Sequence, residues 1–189
     1  VIIRLRQKWS DEKLAELYAK AYSSDEWPEH KRRVDWTIGR LNLFLSTHPE
    51  IVTAADLSCG DGHILDRIEG PTNKYFGDIV NAPHIDRHGS IEETIENIRG
   101  DLLICSETLE HLDDPSYVLD RAAERFTWIC ITTPLGEIDP ERNYEHYWGW
   151  DLWGISSLLS ENGWSPRWVD TLNESYYTYQ LWIARTMWD

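Results

Sequence analysis

The chain has 189 residues, 41% of them hydrophobic, which suits one domain with a single core. Its formal charge is −15, split between residues 1–40 (nine basic, seven acidic) and residues 41–189 (nine basic, twenty-six acidic), and such an acidic body argues against non-specific nucleic-acid binding. No apolar run is long enough to span a membrane, Arg4, Arg6 and Lys8 interrupt any signal-peptide pattern, and Cys59, Cys105 and Cys130 show no metal-ligand spacing and cannot all pair, so a reducing, cytoplasmic setting without a membrane is expected.

In chain order, Ser10-Asp11-Glu12 reads as a helix start, followed by Leu14, Leu17, Tyr18 and Ala21 on one face. Pro28 suits the first turn of a second helix with a stripe of Val34, Ile38, Leu41 and Leu45, and its Lys31-Arg32-Arg33 patch reads first as a solvated face. These helices form a cap over residues 1–48, ahead of an alternating core over residues 50–189. Strands are expected at 52–57, 74–80, 101–106 and 128–133. Leu102-Leu103-Ile104-Cys105 shows no polar alternation, as expected of a strand covered on both faces. Asp114-Pro115 caps a helix striped by Leu119, Ala122, Ala123 and Phe126, and a later helix over 152–161 stops at Asn162-Gly163. Residues 167–172 and 179–186, rich in aromatic and β-branched side chains, read as a closing hairpin-like pair. The alternation predicts an α/β fold with a doubly wound, mostly parallel sheet.

The most informative stretch is Asp56-Leu57-Ser58-Cys59-Gly60-Asp61-Gly62, where an apolar strand ends in an acid and turns through glycines into a helix. In an open α/β sheet a small ligand sits at that strand end. A dinucleotide loop needs Gly-x-Gly-x-x-Gly, but Leu65 stands three residues after Gly62 where Gly or Ala is wanted. Asp78, sixteen residues after Gly62 and ending the next strand, is placed to accept both hydroxyls of a ribose.

The loop resembles motif I of the class I S-adenosylmethionine-dependent methyltransferases, with Ser58 at the first glycine position. Residues 101–115, Asp101-Leu-Leu-Ile-Cys-Ser106-Glu107-Thr-Leu-Glu110-His111-Leu-Asp113-Asp114-Pro115, resemble the signature after the fourth strand in the small-molecule methyltransferases related to the ubiquinone-biosynthesis enzymes. The resemblance covers roughly residues 50–165 and implies a seven-stranded Rossmann-like sheet with S-adenosylmethionine as cofactor. The backbone of Ser58, Cys59, Gly60 and Gly62 would cradle the methionine portion, and Asp78 the ribose. Ser90 and Ile91 would border the adenine; Ser90 replaces the usual acid, and Asp86 stands nearby as a substitute. Ser106 and Glu107 would face the sulfonium. Arg33 is the candidate cation for the ligand carboxylate, with His30 one turn earlier and Arg32 and Arg40 competing. The interval between Asp78 and Ser90 is short for a crossover helix, so this corner looks abbreviated.

Methyl transfer to a hydroxyl benefits from a general base. His146, after the fifth strand, is preferred to His111 of the Glu-His-Leu signature as the acceptor-facing candidate. The pair His84-x-x-x-His88 has helix-type metal spacing but lacks a third ligand, so no metal is assigned. There is no nucleophile elbow, phosphate loop or Asn/Asp-Pro-Pro-Tyr signature of DNA amino methylation. Eight of eleven tryptophans lie at or after residue 128, and Trp148, Trp150 and Trp153 are too close together to be all buried, so they suit a pocket wall or the interface of a homodimer. The expected activity is methyl transfer to O or N of a small-molecule acceptor, neutral or cationic, with a flat or sugar-like face. The competing reading is a protein of the same fold that binds S-adenosylmethionine or S-adenosylhomocysteine without turnover, motivated by Ser58, Ser90 and the short corner. A nicotinamide-dependent oxidoreductase is the third.

Overall fold

The structure is a computed structural model and describes residues 1–19, 23 and 28–188. Its elements are β1 (Ile2–Arg4), α1 (Asp11–Leu17), α2 (Pro28–Leu45), β2 (Thr53–Asp56), α3 (His63–Arg67), β3 (Asn73–Asp78), β4 (Arg87–His88), α4 (Ile91–Thr94), β5 (Gly100–Ser106), α5 (Pro115–Ala123), β6 (Phe126–Pro134), β7 (Trp148–Trp150), α6 (Leu152–Glu161), β8 (Trp164–Asn173) and β9 (Thr178–Thr186). Seven strands form one sheet in the order β4-β3-β2-β5-β6-β9-β8. The first four pairings along it are parallel and the last two, β6 with β9 and β9 with β8, are antiparallel.

The uninterrupted apolar strands have the predicted cause. Along β5, Leu103 and Cys105 join one buried cluster with Val118, Leu119, Ile155 and Leu158, while Leu102 and Ile104 join the other with Val34, Ile38, Leu41 and Leu65. Period-two alternation thus divides one apolar run between two helical layers, giving an α/β/α sandwich. Asp101 fixes the register at the lower edge, accepting hydrogen bonds from Val52 N (2.9 Å) and Thr53 N (2.8 Å). Ser10, Asp114 and Asp151 cap α1, α5 and α6 through their side chains. Gly163 takes a left-handed φ of +82° after α6, where the Asn-Gly stop was read.

One feature departs from the sequence reading, and one expected there is accounted for. The N-terminal segment is not wholly helical, because β1 pairs antiparallel with β7 in a separate two-stranded sheet. Gly149, at the centre of β7, lets that strand pass close to the preceding loop: a Cβ there would run into the Glu137 carbonyl. The short corner between Asp78 and Ser90 is also explained, since β3 reaches the two-residue β4 through turns with no helix between them. Leu14, Leu17 and Tyr18 are half-buried, and Ala21 lies outside the described residues.

Candidate active site

The loop after β2 is held open by hydrogen bonds to its own backbone. Cys59 N donates to Gly77 O (3.0 Å), and Gly62 N to Cys59 O (2.8 Å). Gly60 and Gly62 adopt φ of +55° and +75°. A Cβ at Gly62 would press on His84 and Phe76 at 3.1 and 3.2 Å, so both conformation and space require glycine. Asp78 stands beside the loop as its spacing implied: its carboxylate accepts from Gly60 N (2.8 Å) and Val80 N (2.9 Å). His84 is tied to the same loop through Gly60 O (2.9 Å) rather than to His88, a contact the sequence pattern did not show.

Asp56, at the end of β2, is 2% exposed and accepts from Ser58 N at 3.2 Å. Burial pushes its carboxyl up to about 8; the Ser58 N–H opposes this, and Asp78 and Asp61 add to it. The Ser58 hydroxyl lies 2.6 Å from Thr108 Oγ1, so the polar group standing in the first glycine position is partnered and joins the β2 loop to the segment after β5.

Ser90 caps α4: its hydroxyl accepts from Glu93 N (3.3 Å) while Glu93 returns a bond to Ser90 N (3.0 Å). Ile91 is 4% exposed and belongs to the core. Asp86 bonds the β3 backbone at Phe76 N (3.0 Å), which occupies it as a sheet-edge residue.

At the end of β5, Arg33 Nη1 donates to Ser106 Oγ (2.9 Å), which lies 2.8 Å from Thr132 Oγ1. The competing arginines are spent on the surface, Arg32 with Glu174 and Arg40 with Asp170, each at 2.5 Å. Arg33 alone of the three is buried, 4% exposed, with its guanidinium 5.7 Å from the Tyr179 ring centre. The next residue, Glu107, has φ +53°, the one positive value at a non-glycine among the described residues. A left-handed glutamate costs about 1–2 kcal/mol, strain of the kind that gathers at functional sites. Its Oε1 is buried without a partner. Burial raises its carboxyl, against Arg33 and His146, which favour the anion.

The β6–β7 loop brings His146 against His111, their ring centres 4.8 Å apart. His146 Nδ1 donates to Glu137 Oε2 at 2.5 Å, with the two residues 4% and 2% exposed. Tyr177 OH donates to the other Glu137 oxygen at 3.2 Å. Asn143 Oδ1 accepts from Glu145 N (2.9 Å), which turns its amide nitrogen toward His146 Nε2 (2.9 Å). That nitrogen therefore carries the lone pair of the ring and accepts from the Asn143 amide. Burial, then His146, pushes His111 down to about 3, leaving a neutral imidazole. Beside it, Glu110 is fully buried and accepts from Thr133 Oγ1 at 3.1 Å, and burial raises its carboxyl well above the usual range.

The reading from residue types did not single out Glu137, and it quoted Glu110 without a role. A Pro-Leu-Gly-Glu run leaving β6 was the only available signal for Glu137. The N-terminal segment covers this end of the sheet: Trp9 Nε1 donates to Tyr144 O (2.9 Å), and burial, with smaller contributions from Glu145, Tyr147, Glu110 and Asp78, raises the Tyr18 hydroxyl. The tryptophan cluster divides as expected. Trp150 is 2% exposed and bonded to Thr133 Oγ1 (2.8 Å), Trp148 is half-buried beneath the Arg4 guanidinium, and Trp153 is 79% exposed.

No family model matches the sequence, and no curated protein does. Solved structures do match the fold. The magnesium protoporphyrin IX methyltransferase of Synechocystis, with bound SAM, is 17% identical with a TM-score of 0.62, over 83% of this chain and 79% of that one. The N-methyltransferase NodS of Bradyrhizobium japonicum, in complex with S-adenosylhomocysteine, is 15% identical with a TM-score of 0.66, over 86% and 89% of the two chains. The 1,6-didemethyltoxoflavin-N1-methyltransferase of Burkholderia thailandensis, with its namesake ligand and S-adenosylhomocysteine bound, is 14% identical with a TM-score of 0.64, over 98% and 94%. The chain thus has the Rossmann-like fold of the class I methyltransferases.

Proposed function

We propose that the chain is an S-adenosylmethionine-dependent methyltransferase acting on O or N of a small molecule. The observation that carries this reading is the joined pair of strand ends at β2 and β3: a loop that requires glycine at Gly62 lies against the Asp78 carboxylate, at the edge where this fold receives ligands. The solved structures of the same fold with SAM or S-adenosylhomocysteine bound support it.

The residues present fit the cofactor. Asp78 keeps lone pairs for ribose hydroxyls, since each of its oxygens accepts one backbone bond. The Gly60–Gly62 turn admits close approach. Arg33 is a buried cation at the end of β5, and the Glu107 carboxyl beside it offers an unmet oxygen to a cationic centre. When bound, S-adenosylmethionine supplies the methyl group, activated by its sulfonium. The chain's own part is alignment, exclusion of water by the α1 segment and the β6–β7 loop, and an acceptor for any proton the substrate sheds. Glu137 fixes the His146 ring so that Nε2 carries that lone pair, and His111 lines the same chamber. The carboxyl oxygens of Glu107 and Glu137 around it favour a neutral or cationic acceptor.

Titration calorimetry with S-adenosylhomocysteine, and with NADH as the dinucleotide control, tests the reading. Saturable one-to-one binding of the first and none of the second is expected. No binding of S-adenosylhomocysteine at millimolar concentration would falsify it. The reading without turnover loses one of its motives, because the Ser58 hydroxyl is partnered by Thr108. Binding without transfer to a broad panel of hydroxyl and amine acceptors would restore it. A cytoplasmic setting is supported by the free thiols of Cys59, Cys105 and Cys130, and the charge of −15 argues against nucleic-acid partners; no helix among the described residues is long and apolar enough to cross a membrane.

A further inference from the structure

We infer that Glu110, His111 and His146 form a binding site for one divalent transition-metal ion of the zinc class. They are the one His/Cys/Asp/Glu grouping among the described residues whose ligand atoms converge, all within 4.8 Å of one another. Two of the three residues carry a ligand-type atom that nothing else occupies, and His146 offers Nε2, now bonded to the Asn143 amide. Glu110 Oε1 and His111 Nδ1 are shielded from solvent and have no hydrogen-bond partner, although Glu110 is fully buried. An orphaned buried acceptor costs about 1–3 kcal/mol.

The remaining atoms of the three residues are held as metal ligands usually are, by an outer layer of hydrogen bonds. Glu110 Oε2 accepts from Thr133 Oγ1 at 3.1 Å. Burial keeps the His111 ring neutral, and its Nδ1 has no hydrogen-bond partner. His146 Nδ1 donates to Glu137 Oε2 at 2.5 Å, the carboxylate–histidine arrangement that orients a coordinating imidazole. One carboxylate and two imidazoles suit zinc or its neighbours rather than magnesium, which prefers oxygen and keeps its waters.

Access narrows the choice further. The orphaned atoms expose almost no surface, so their partner must be as small as an ion, and a substrate group does not reach them. An ion at His146 Nε2 would displace the Asn143 amide and draw the three side chains together, since tetrahedral donors about 2.0–2.2 Å from zinc stand closer than 4.8 Å. It would lie between the segment after β5, which carries Glu110 and His111, and the β6–β7 loop, which carries His146. The site does not depend on the methyl-transfer reading.

Equilibrium dialysis of the full chain against Zn²⁺, with Co²⁺ titration followed by visible absorption, tests it. One equivalent per chain is expected, with the intense cobalt bands of a four- or five-coordinate site. His111→Ala should weaken binding by more than about 100-fold, and Glu137→Gln, which touches no metal, by about 10–100-fold. If His111→Ala does not fold, Glu137→Gln and the wild-type cobalt spectrum decide. Failure of the wild type to bind, the weak bands of a six-coordinate ion, or affinity unchanged in Glu137→Gln would each overturn the site in favour of a proton or a water between Glu110 and His111. S-adenosylhomocysteine titration of the metal-free protein reads the cofactor loop separately, so failure of either proposal is recognised on its own.

Discussion

The two halves of the cleft are built in opposite ways. At the ends of β2 and β3 the polar groups are local and mutually satisfied: Asp78 holds Gly60 and Val80, Asp56 holds Ser58, and His84 holds Gly60. Beyond β5 and β6 they are buried and long-range, and several are unmet: Glu107 Oε1, Glu110 Oε1 and His111 Nδ1 have no partner. A surface that recognises one fixed ligand is made by a loop whose backbone does the work. On the proposed reading the second half is the chamber for chemistry, and Glu107 at φ +53° stands between the two.

That contrast separates the effects of substitution. Glu137→Ala strips His146 and Tyr177 of their shared buried partner and should cost about 3–5 kcal/mol by urea denaturation. S-adenosylhomocysteine affinity of the folded fraction should stay within a few-fold; a large loss would mean that the halves are not independent. Asp78→Ala should do the reverse, reducing S-adenosylhomocysteine affinity by about 10- to 100-fold through lost charge-assisted bonds, measured by calorimetry. Its effect on stability should be smaller than that of Glu137→Ala.

Asp56 sharpens the comparison through pH. Its carboxyl is raised from 3.8 to about 8, so between those values the folded chain holds a proton that the unfolded chain releases. Its contribution to stability is therefore lost as pH rises from about 4 to about 8, by up to about 1.4 kcal/mol per pH unit. Asp56→Asn keeps an oxygen for Ser58 N and should flatten that slope in denaturation series; an unchanged slope would place its origin elsewhere. The smallest effect belongs to Trp153→Ser. With 79% of the side chain exposed, stability should change by no more than about 0.5 kcal/mol, and a shift in sedimentation at high concentration would reveal an interface between two copies.

The same division governs what the sequence made legible. The strands and α6 were readable because burial on both faces leaves a continuous apolar run, and an Asn-Gly stop marks a helix end. Gly60, Gly62 and Asp78 were readable because backbone conformation and strand spacing constrain residue type locally. β1 was missed because three residues carry too little pattern, and its partner β7 lies 144 or more residues away. Glu137 was missed for a related reason: its place is fixed by His146 and Tyr177, nine and forty residues on, and no periodicity encodes such a contact. Glu110 was visible in the Glu-His-Leu run, but sequence could not show that one of its oxygens would have no partner.

The most direct test of the central claim is a crystal structure of the chain grown with S-adenosylhomocysteine. The account predicts ribose hydroxyls on Asp78, the homocysteine portion along Ser58–Gly62, and sulfur beside Ser106 and Glu107, facing His146. Ligand bound elsewhere with the β2 loop vacant, for instance in the aromatic groove of Phe44, Trp128 and Trp168 at the opposite end of the sheet, would contradict it.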